Sequence, residues 1–308
     1  MNVRAEIGSE FWDIPVSNTQ NSLFPDNSKW FLAGRTALLY IILDSDIKSV
    51  SMPRWSCGSM VAPFVSNGVK VSFYDDTPET DKDAIFVMDY FGYDTKSKVP
   101  DGYHGVVIRD ITHSVFSRTY DDADYYFGSL RKWAGFLTGG VAWGKWRKQI
   151  SIPPYDREYV SLRQRAMKEK CEYINGIRND KGYLDVFSKC GKMLENIGLS
   201  GAYEGDVEAA KYFDVVLVKK RRRENANELL KCFSGMFTLG ENDCPMFVPV
   251  LLQERDKILS KLIEEEIYCP VHWPENNLEG KELSIVCDQR YRISDMKRIC
   301  REFIKCNG

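Results

Sequence analysis

The sequence predicts an α/β fold: a mostly parallel central sheet flanked by helices, with a smaller C-terminal α+β domain. Three observations carry this. First, "AIFVMDYFG" (84–92) and "GVVIRDITHS" (105–114) are apolar runs of strand length that end in polar residues, as strands covered on both faces do. Second, "KSVSMP" (48–53) and "GVKVSFYD" (68–75) read as short strands, and "SCGSMVAPFVSNG" between them as a helix that closes at Gly68. Strands alternating with helices favour a parallel sheet wrapped by helices. Third, the texture changes after "GGVAW" (139–143), where charged helical stretches begin.

Taken in order, residues 1–29 are polar and turn-rich, with Pro15 and Pro25, and read as an N-terminal arm. "WFLAGRTALLYIILDS" (30–45) opens on a glycine turn and continues as an apolar helix. The four strand-like runs follow. "REYVSLRQRAMKEKCEYI" (157–174) and "VKKRRRENANELLKCF" (218–233) are helical. The stretch from Cys244 to "PVHWP" reads as strand, helix, then extended chain, and "ELSIVCDQRYRISDMKRICREFIKC" (282–306) as strand then helix. The expected division is arm 1–29, large domain 30–213 and small domain 214–308, with no internal repeat or low-complexity segment.

Composition excludes some classes. The chain has 308 residues, 44% hydrophobic and 28% charged, as a soluble globular protein does, and its 13% aromatic share suits a well-filled core or a lined pocket. A net charge of -2 argues against nucleic acid or anionic membrane as partner. No apolar run approaches the roughly 20 residues that span a bilayer, and "MNVRAEIGSEFWDIP" lacks the apolar core of a signal peptide. Nine cysteines without a CxxC pair fit reduced thiols in a cytoplasmic protein. His104, His113 and His272 stand far from one another and from any cysteine pair, so no metal site is expected.

In open α/β sheets ligands bind beyond the carboxyl ends of the strands, which turns attention to Gly34–Thr36, Arg54–Ser59, Asp89–Tyr93 and Asp110–Ser114. "AGRTAL" (33–38) is a glycine turn into a helix, where free N–H groups and the helix dipole favour a phosphate. Asp110 is a strand-end carboxylate, either paired with the neighbouring Arg109 or poised for a ligand cation. Lys132 sits in "GSLRKWAGFLTGG" (128–140) beside Trp133 and Phe136. A dry lysine is a nucleophilic amine; a lysine beside aromatics is more often a snorkelling surface group. The glycines there would leave room for a flat ligand, and the nearby rings would dry the amine.

In that order, "GRTAL", "PRWSCGSMVAPFVSNGVKVSFYD" with Gly68 and Asp75 in register, "RDITHS" and "GSLRKWAGFLTGG" resemble the DegT-type sugar aminotransferases, a family of fold-type I pyridoxal phosphate (PLP) enzymes. "RRRENANELL" and "IYCPVHWP" match family-like patterns, so the resemblance runs from residue 30 to the end. It implies the PLP-dependent transferase fold and a homodimer. It also implies transfer of an amino group from a donor such as glutamate to a nucleotide-linked keto sugar, in the setting of polysaccharide synthesis. Lys132 would bind PLP covalently and shuttle the proton. Asp110 would hold the pyridine nitrogen protonated, and His113 would lie near the ring or its 3-oxygen. Gly34, Arg35 and Thr36 would cradle the phosphate, with the Thr36 hydroxyl taking part.

Two positions depart from the family. An aromatic ring is common where this chain has Cys57, so stacking falls to Trp55 or another ring. A phosphate-binding serine is usual where this chain has Phe127, and the nearest hydroxyls are Ser129 and Tyr126. These departures, with the short chain, keep open a non-catalytic relative or one with an altered reaction on the same fold. Outside the resemblance, His113 reads equally as a hydrogen-bonded strand-end histidine, and His272, in a rigid segment flanked by prolines and a tryptophan, as lining a substrate pocket or packing, with packing preferred. "KKRRR" (219–223) reads as a solvated face with one or two arginines turned toward a phosphorylated substrate, Cys57 as a packing residue, and "DDADYY" (121–126) as an acidic loop without an EF-hand pattern.

Overall fold

A computed structural model describes residues 6–95, 98–117, 121–273 and 280–307. In chain order the elements are β1 (Ile7–Gly8), β2 (Lys29–Phe31), α1 (Gly34–Ser45), β3 (Ser49–Pro53), α2 (Gly58–Ser66), β4 (Lys70–Tyr74), β5 (Ala84–Met88), β6 (Val106–Asp110), β7 (Tyr125–Ser129), a 3-10 turn (Leu130–Lys132) and β8 (Gly140–Gly144). Then come α3 (Arg157–Ile174), α4 (Tyr183–Asn196), α5 (Glu204–Lys211), α6 (Val215–Leu229), β9 (Phe247–Leu251), α7 (Arg255–Glu264), β10 (Ile267–Tyr268), β11 (Glu282–Val286) and α8 (Ile293–Asn307).

Seven strands form one sheet in the order β2-β8-β7-β6-β5-β3-β4. The five from β4 to β7 run parallel; beyond them β8 is reversed, pairing antiparallel with β7 on one side and with the edge strand β2 on the other. β5, β6 and β7 are buried at all five positions, which is why the first two read as unbroken apolar runs. The third was hidden: "DDADYY" is not a loop throughout, because Tyr125 and Tyr126 open β7. Its acidic residues are structural. Asp122 takes a two-pronged pair from Arg109, at 3.0 and 2.6 Å, and Asp124 accepts the Val107 N–H.

Arg109 is fully buried, with Asp89 also 3.6 Å away. Successive side chains on a strand point to opposite faces, so Arg109 and Asp110 diverge. The strand-end carboxylate is therefore not neutralised by its neighbour.

A second core gathers Ile7 with side chains of α6, α7, α8 and the antiparallel β9–β11 pair. The arm is fastened there, since β1 pairs in parallel with β10.

Candidate active site

The carboxyl ends of β5, β6 and β7 converge on a cavity of about 220 Å³. Met88, Asp110 and Ser129, the last residues of those strands, all line it. The first turn of α1 supplies Gly34 and Arg35, the turn after β7 supplies Lys132, and Cys57, His113, His272 and Trp273 complete the wall.

Asp110 is 3% exposed, and its Oδ1 accepts the Thr112 N–H at 2.7 Å. Burial pushes its carboxyl up to about 6, and hydrogen bonds from Thr112 and the charge of Lys132 pull the other way. A cation beside it would relieve the cost of burying its charge.

The imidazole of His113 is held well below its ordinary range by burial and by the neighbouring His272 and Lys132, so the ring is neutral. Phe91 N–H points at its Nδ1 at 3.4 Å. That nitrogen is the acceptor, which leaves the proton on Nε2.

Several polar groups converge at the start of α1. The first N–H groups of a helix have no acceptor within it. Among the described residues, the buried hydroxyl of Ser129, itself 5% exposed, has no hydrogen-bond partner, and neither has the buried Nε of Arg131, another residue of the wall. The Arg35 guanidinium is held below its usual range by burial and then by the positive charge of Arg131. Two arginines, an orphan hydroxyl and a helix N-terminus gathered this way suit an anion. Arg35 also donates to Leu194 O at 2.9 Å, tying the turn to α4, while Arg131 bonds Tyr159 Oη.

Four expectations are corrected. The Thr36 hydroxyl is not free for a phosphate: it donates to Ala33 O at 2.7 Å and accepts Ala33 N–H at 2.9 Å, closing the first turn of its own helix. Trp55 stays outside the cavity. It stacks on Tyr90 at 4.5 Å and 20° and lines a different cleft. The ring in the wall is Trp273, parallel to His113 within 13° at 5.6 Å. Trp133 and Phe136 do not dry Lys132, because both are fully buried on the far side in another core while Lys132 is exposed. Trp133 Nε1 donates to Thr112 O, so the ring braces the segment after Asp110. The glycine pair has a different use as well. Gly139 has φ +110°, and a Cβ on Gly140 would lie 2.2 Å from Ala33 O, so Gly140 lets β8 pass against the turn that starts α1.

Cys57 lies in the wall with its Sγ 3.0 Å from Ser59 Oγ. Gly34, Arg35, Cys57, Asp110, His113, Ser129 and Lys132 are thus brought together, and Trp55 and the Thr36 hydroxyl are not. Sequence reasoning missed Arg131 and Trp273. It also missed Asp206, which accepts the Leu137 and Thr138 N–H groups and the Thr138 hydroxyl and so fixes the loop after Lys132. Trp273 had a signal in "PVHWP"; Arg131 and Asp206 had none. Of "KKRRR", Arg222 is not solvated: it is 1% exposed and lies 4.5 Å over the Trp133 ring. Among the described residues no group of acidic, histidine and cysteine side chains could hold a metal.

The seven-stranded, mostly parallel sheet with its helices is a fold seen in solved aminotransferases. No family model matches this sequence, and comparison with curated proteins finds no match. Solved structures do match. The chain is similar to PseC of Helicobacter pylori, an aminotransferase involved in the biosynthesis of pseudoaminic acid, with a TM-score of 0.60 and 13% identity over 97% of this chain and 99% of that one. It is similar to a DegT DnrJ EryC1 StrS aminotransferase from Brucella abortus, at 0.60 and 14% over 91% and 86%. S. venezuelae DesV in complex with a ketimine intermediate aligns at 0.55 and 12% over 89% and 83%. At these identities the likeness establishes the fold.

Proposed function

We propose that this protein is a PLP-dependent aminotransferase of the DegT type, moving an amino group from a donor such as glutamate to a keto sugar. The observation that carries the reading is the gathering of Asp110, Lys132, Ser129 and the start of α1 around one cavity. These residues fit the cofactor. The orphan Ser129 hydroxyl, Arg131 and the N–H groups of Gly34 and Arg35 would hold its phosphate, and Asp110 its ring nitrogen. When bound, PLP supplies an electron sink for the carbon that loses its proton. Lys132, open to the cavity and free of hydrogen bonds and ion pairs among the described residues, can hold the cofactor and carry that proton. His113 presents Nε2–H as a donor suited to a phenolate oxygen. Trp273 and the imidazole of His113 offer flat faces where Cys57 offers none.

We further propose the division 30–213 and 214–308, supported by the separate core around α6–α8, and a cytoplasmic location, supported by nine free thiols. No described helix is long and apolar enough to cross a membrane. A homodimer is supported by Lys132 being uncovered in the single chain and by the exposed Val16, Val216 and Leu217; light scattering tests it. The nucleotide on the sugar and the polysaccharide setting rest on the family resemblance alone.

Purified protein mixed with PLP is expected to acquire the visible band of lysine-linked cofactor, and to pass ¹⁵N from labelled glutamate to a keto-sugar acceptor. Lys132→Ala is expected to lose both. A variant that keeps the band and its turnover overturns the assignment of Lys132. Wild-type protein that stays colourless moves the reading to a non-catalytic relative.

A further inference from the structure

His272 lies on the segment after β10 and reaches the same cavity as Lys132. It is 7% exposed. Its backbone N–H donates to Glu282 Oε2 at 2.8 Å, and its Nδ1 lies 2.9 Å from Ser284 Oγ. Ser284 in turn donates to Glu282 Oε1 at 2.5 Å. Glu282 and Ser284 are two apart on β11 and so share a face; both are fully buried. This chain of bonds assigns a proton. Ser284 has one hydrogen and gives it to the carboxylate, which already accepts from His272 N–H. Toward the ring, Ser284 Oγ can then only accept, and Nδ1 must be the donor. Nε2 is left with a lone pair and, among the described residues, no partner. Burial holds the ring below its ordinary range, with the charge of Lys132 adding to that and Glu282 opposing, so the neutral form is the one in place.

The two histidines of the cavity, 5.6 Å apart, therefore present opposite faces of the same chemistry. His113 offers an N–H, and His272 offers a lone pair. A buried carboxylate is expensive to keep. Here it fixes one tautomer of one ring at the wall of a ligand site, the arrangement by which a second residue orients a functional histidine.

We propose that His272 is a specificity-determining residue: its bare Nε2 accepts a hydrogen bond from a hydroxyl of the ketone substrate, and Ser284 and Glu282 are the positioning residues that keep it bare. This rests on the aminotransferase reading and names what in the site favours a hydroxylated ketone over a plain one. A site built to bond a substrate hydroxyl disfavours the analogue without it.

Two measurements test it. In protein labelled with ¹⁵N in its three histidine rings and free of cofactor, His272, assigned by the loss of its signals in His272→Phe, is expected to carry its proton on Nδ1. Ser284→Ala is expected to give a mixture of both tautomers with an unchanged circular dichroism spectrum. A proton on Nε2 in the wild type, or no change in Ser284→Ala, overturns the proposal. In the second measurement the pyridoxamine form of the enzyme is mixed with 1,3-dihydroxyacetone or with acetone, and the return of the PLP band is timed. His272→Phe is expected to slow the reaction with dihydroxyacetone by about tenfold, the effect of one lost hydrogen bond, and to leave acetone within about twofold. Equal losses on both overturn this inference while leaving the aminotransferase reading intact. A wild-type protein that takes up no PLP overturns both.

Discussion

Asp110 shows how one residue couples ligand binding to stability. Its carboxyl goes from an ordinary value of 3.8 to about 6 on burial. A raised acid favours the folded state below the unfolded value, and that advantage is lost as pH rises through the folded one. In the window from about 4 to 6 and above, the protein without cofactor pays for an unpaired buried carboxylate. Asp110→Asn is therefore expected to stabilise the cofactor-free protein by about 3 kcal/mol at pH 8 and to leave it nearly unchanged near pH 4, as read by urea unfolding at the two pH values. PLP added at pH 8 should stabilise the wild type strongly and the variant weakly, because only the carboxylate answers a protonated ring nitrogen. A stability difference between variant and wild type that is the same at both pH values would remove Asp110 as a poised acid.

At the scale of elements, the site is made by strands and helices that end in the same place. α1 begins where β2 stops, and its first turn is closed by Thr36 rather than by a ligand. β8 returns past that turn, pairing Gly140 with Phe31 on one side and Ser129 on the other. The carbonyl of Ala33, which accepts Thr36 and Ala37 N–H to start the helix, is the atom that a Cβ on Gly140 would strike. Gly140→Ala is expected to destabilise by about 2 kcal/mol and to weaken PLP more than pyridoxal, which lacks the phosphate. Chemical denaturation and paired binding titrations check this. Equal weakening of both ligands would mean that the first turn of α1 does not serve the phosphate.

For the whole molecule, the N-terminal arm fastens distant parts of the fold together. Glu6 sits between Lys170 of α3 and Lys181, at 3.1 Å from each, and takes a hydrogen bond from Tyr183 Oη. β1, next in the chain, pairs with β10 just before His272. Lys170 is fully buried, and burial, with Arg290 nearby, lowers its ammonium to about 8 despite Glu6. Removing one partner of a buried pair leaves a naked charge. Glu6→Gln is expected to cost about 3 kcal/mol at pH 7, measured by denaturant unfolding. Glu6→Gln with Lys170→Met should recover most of that loss, since the charge is then gone. A double variant as weak as the single one would place the loss in the arm's packing.

The sequence by itself determined the alternation of strands and helices, the α/β class and the order of glycine turn, carboxylate and lysine, because periodicity, apolar runs and turn residues are local properties of the chain. β7 escaped because "DDADYY" mixes loop acids with its first two residues, and β8 because a five-residue strand beginning on glycine carries little local signal. Which way each side chain faces was not local either. Whether Asp110 was paired with Arg109 or poised for a ligand stayed open until the sheet put the two side chains on opposite faces. Trp133 beside Lys132 looked like its shelter until the 3-10 turn sent the ring into the core, and Trp55 was drawn off by Tyr90. The tertiary structure decided these, and it brought Arg131, His272 and Trp273 to the same wall. The physical reason is that a binding site is closed by contacts between residues far apart in the chain, whereas sequence pattern reports mainly what each segment does with its neighbours.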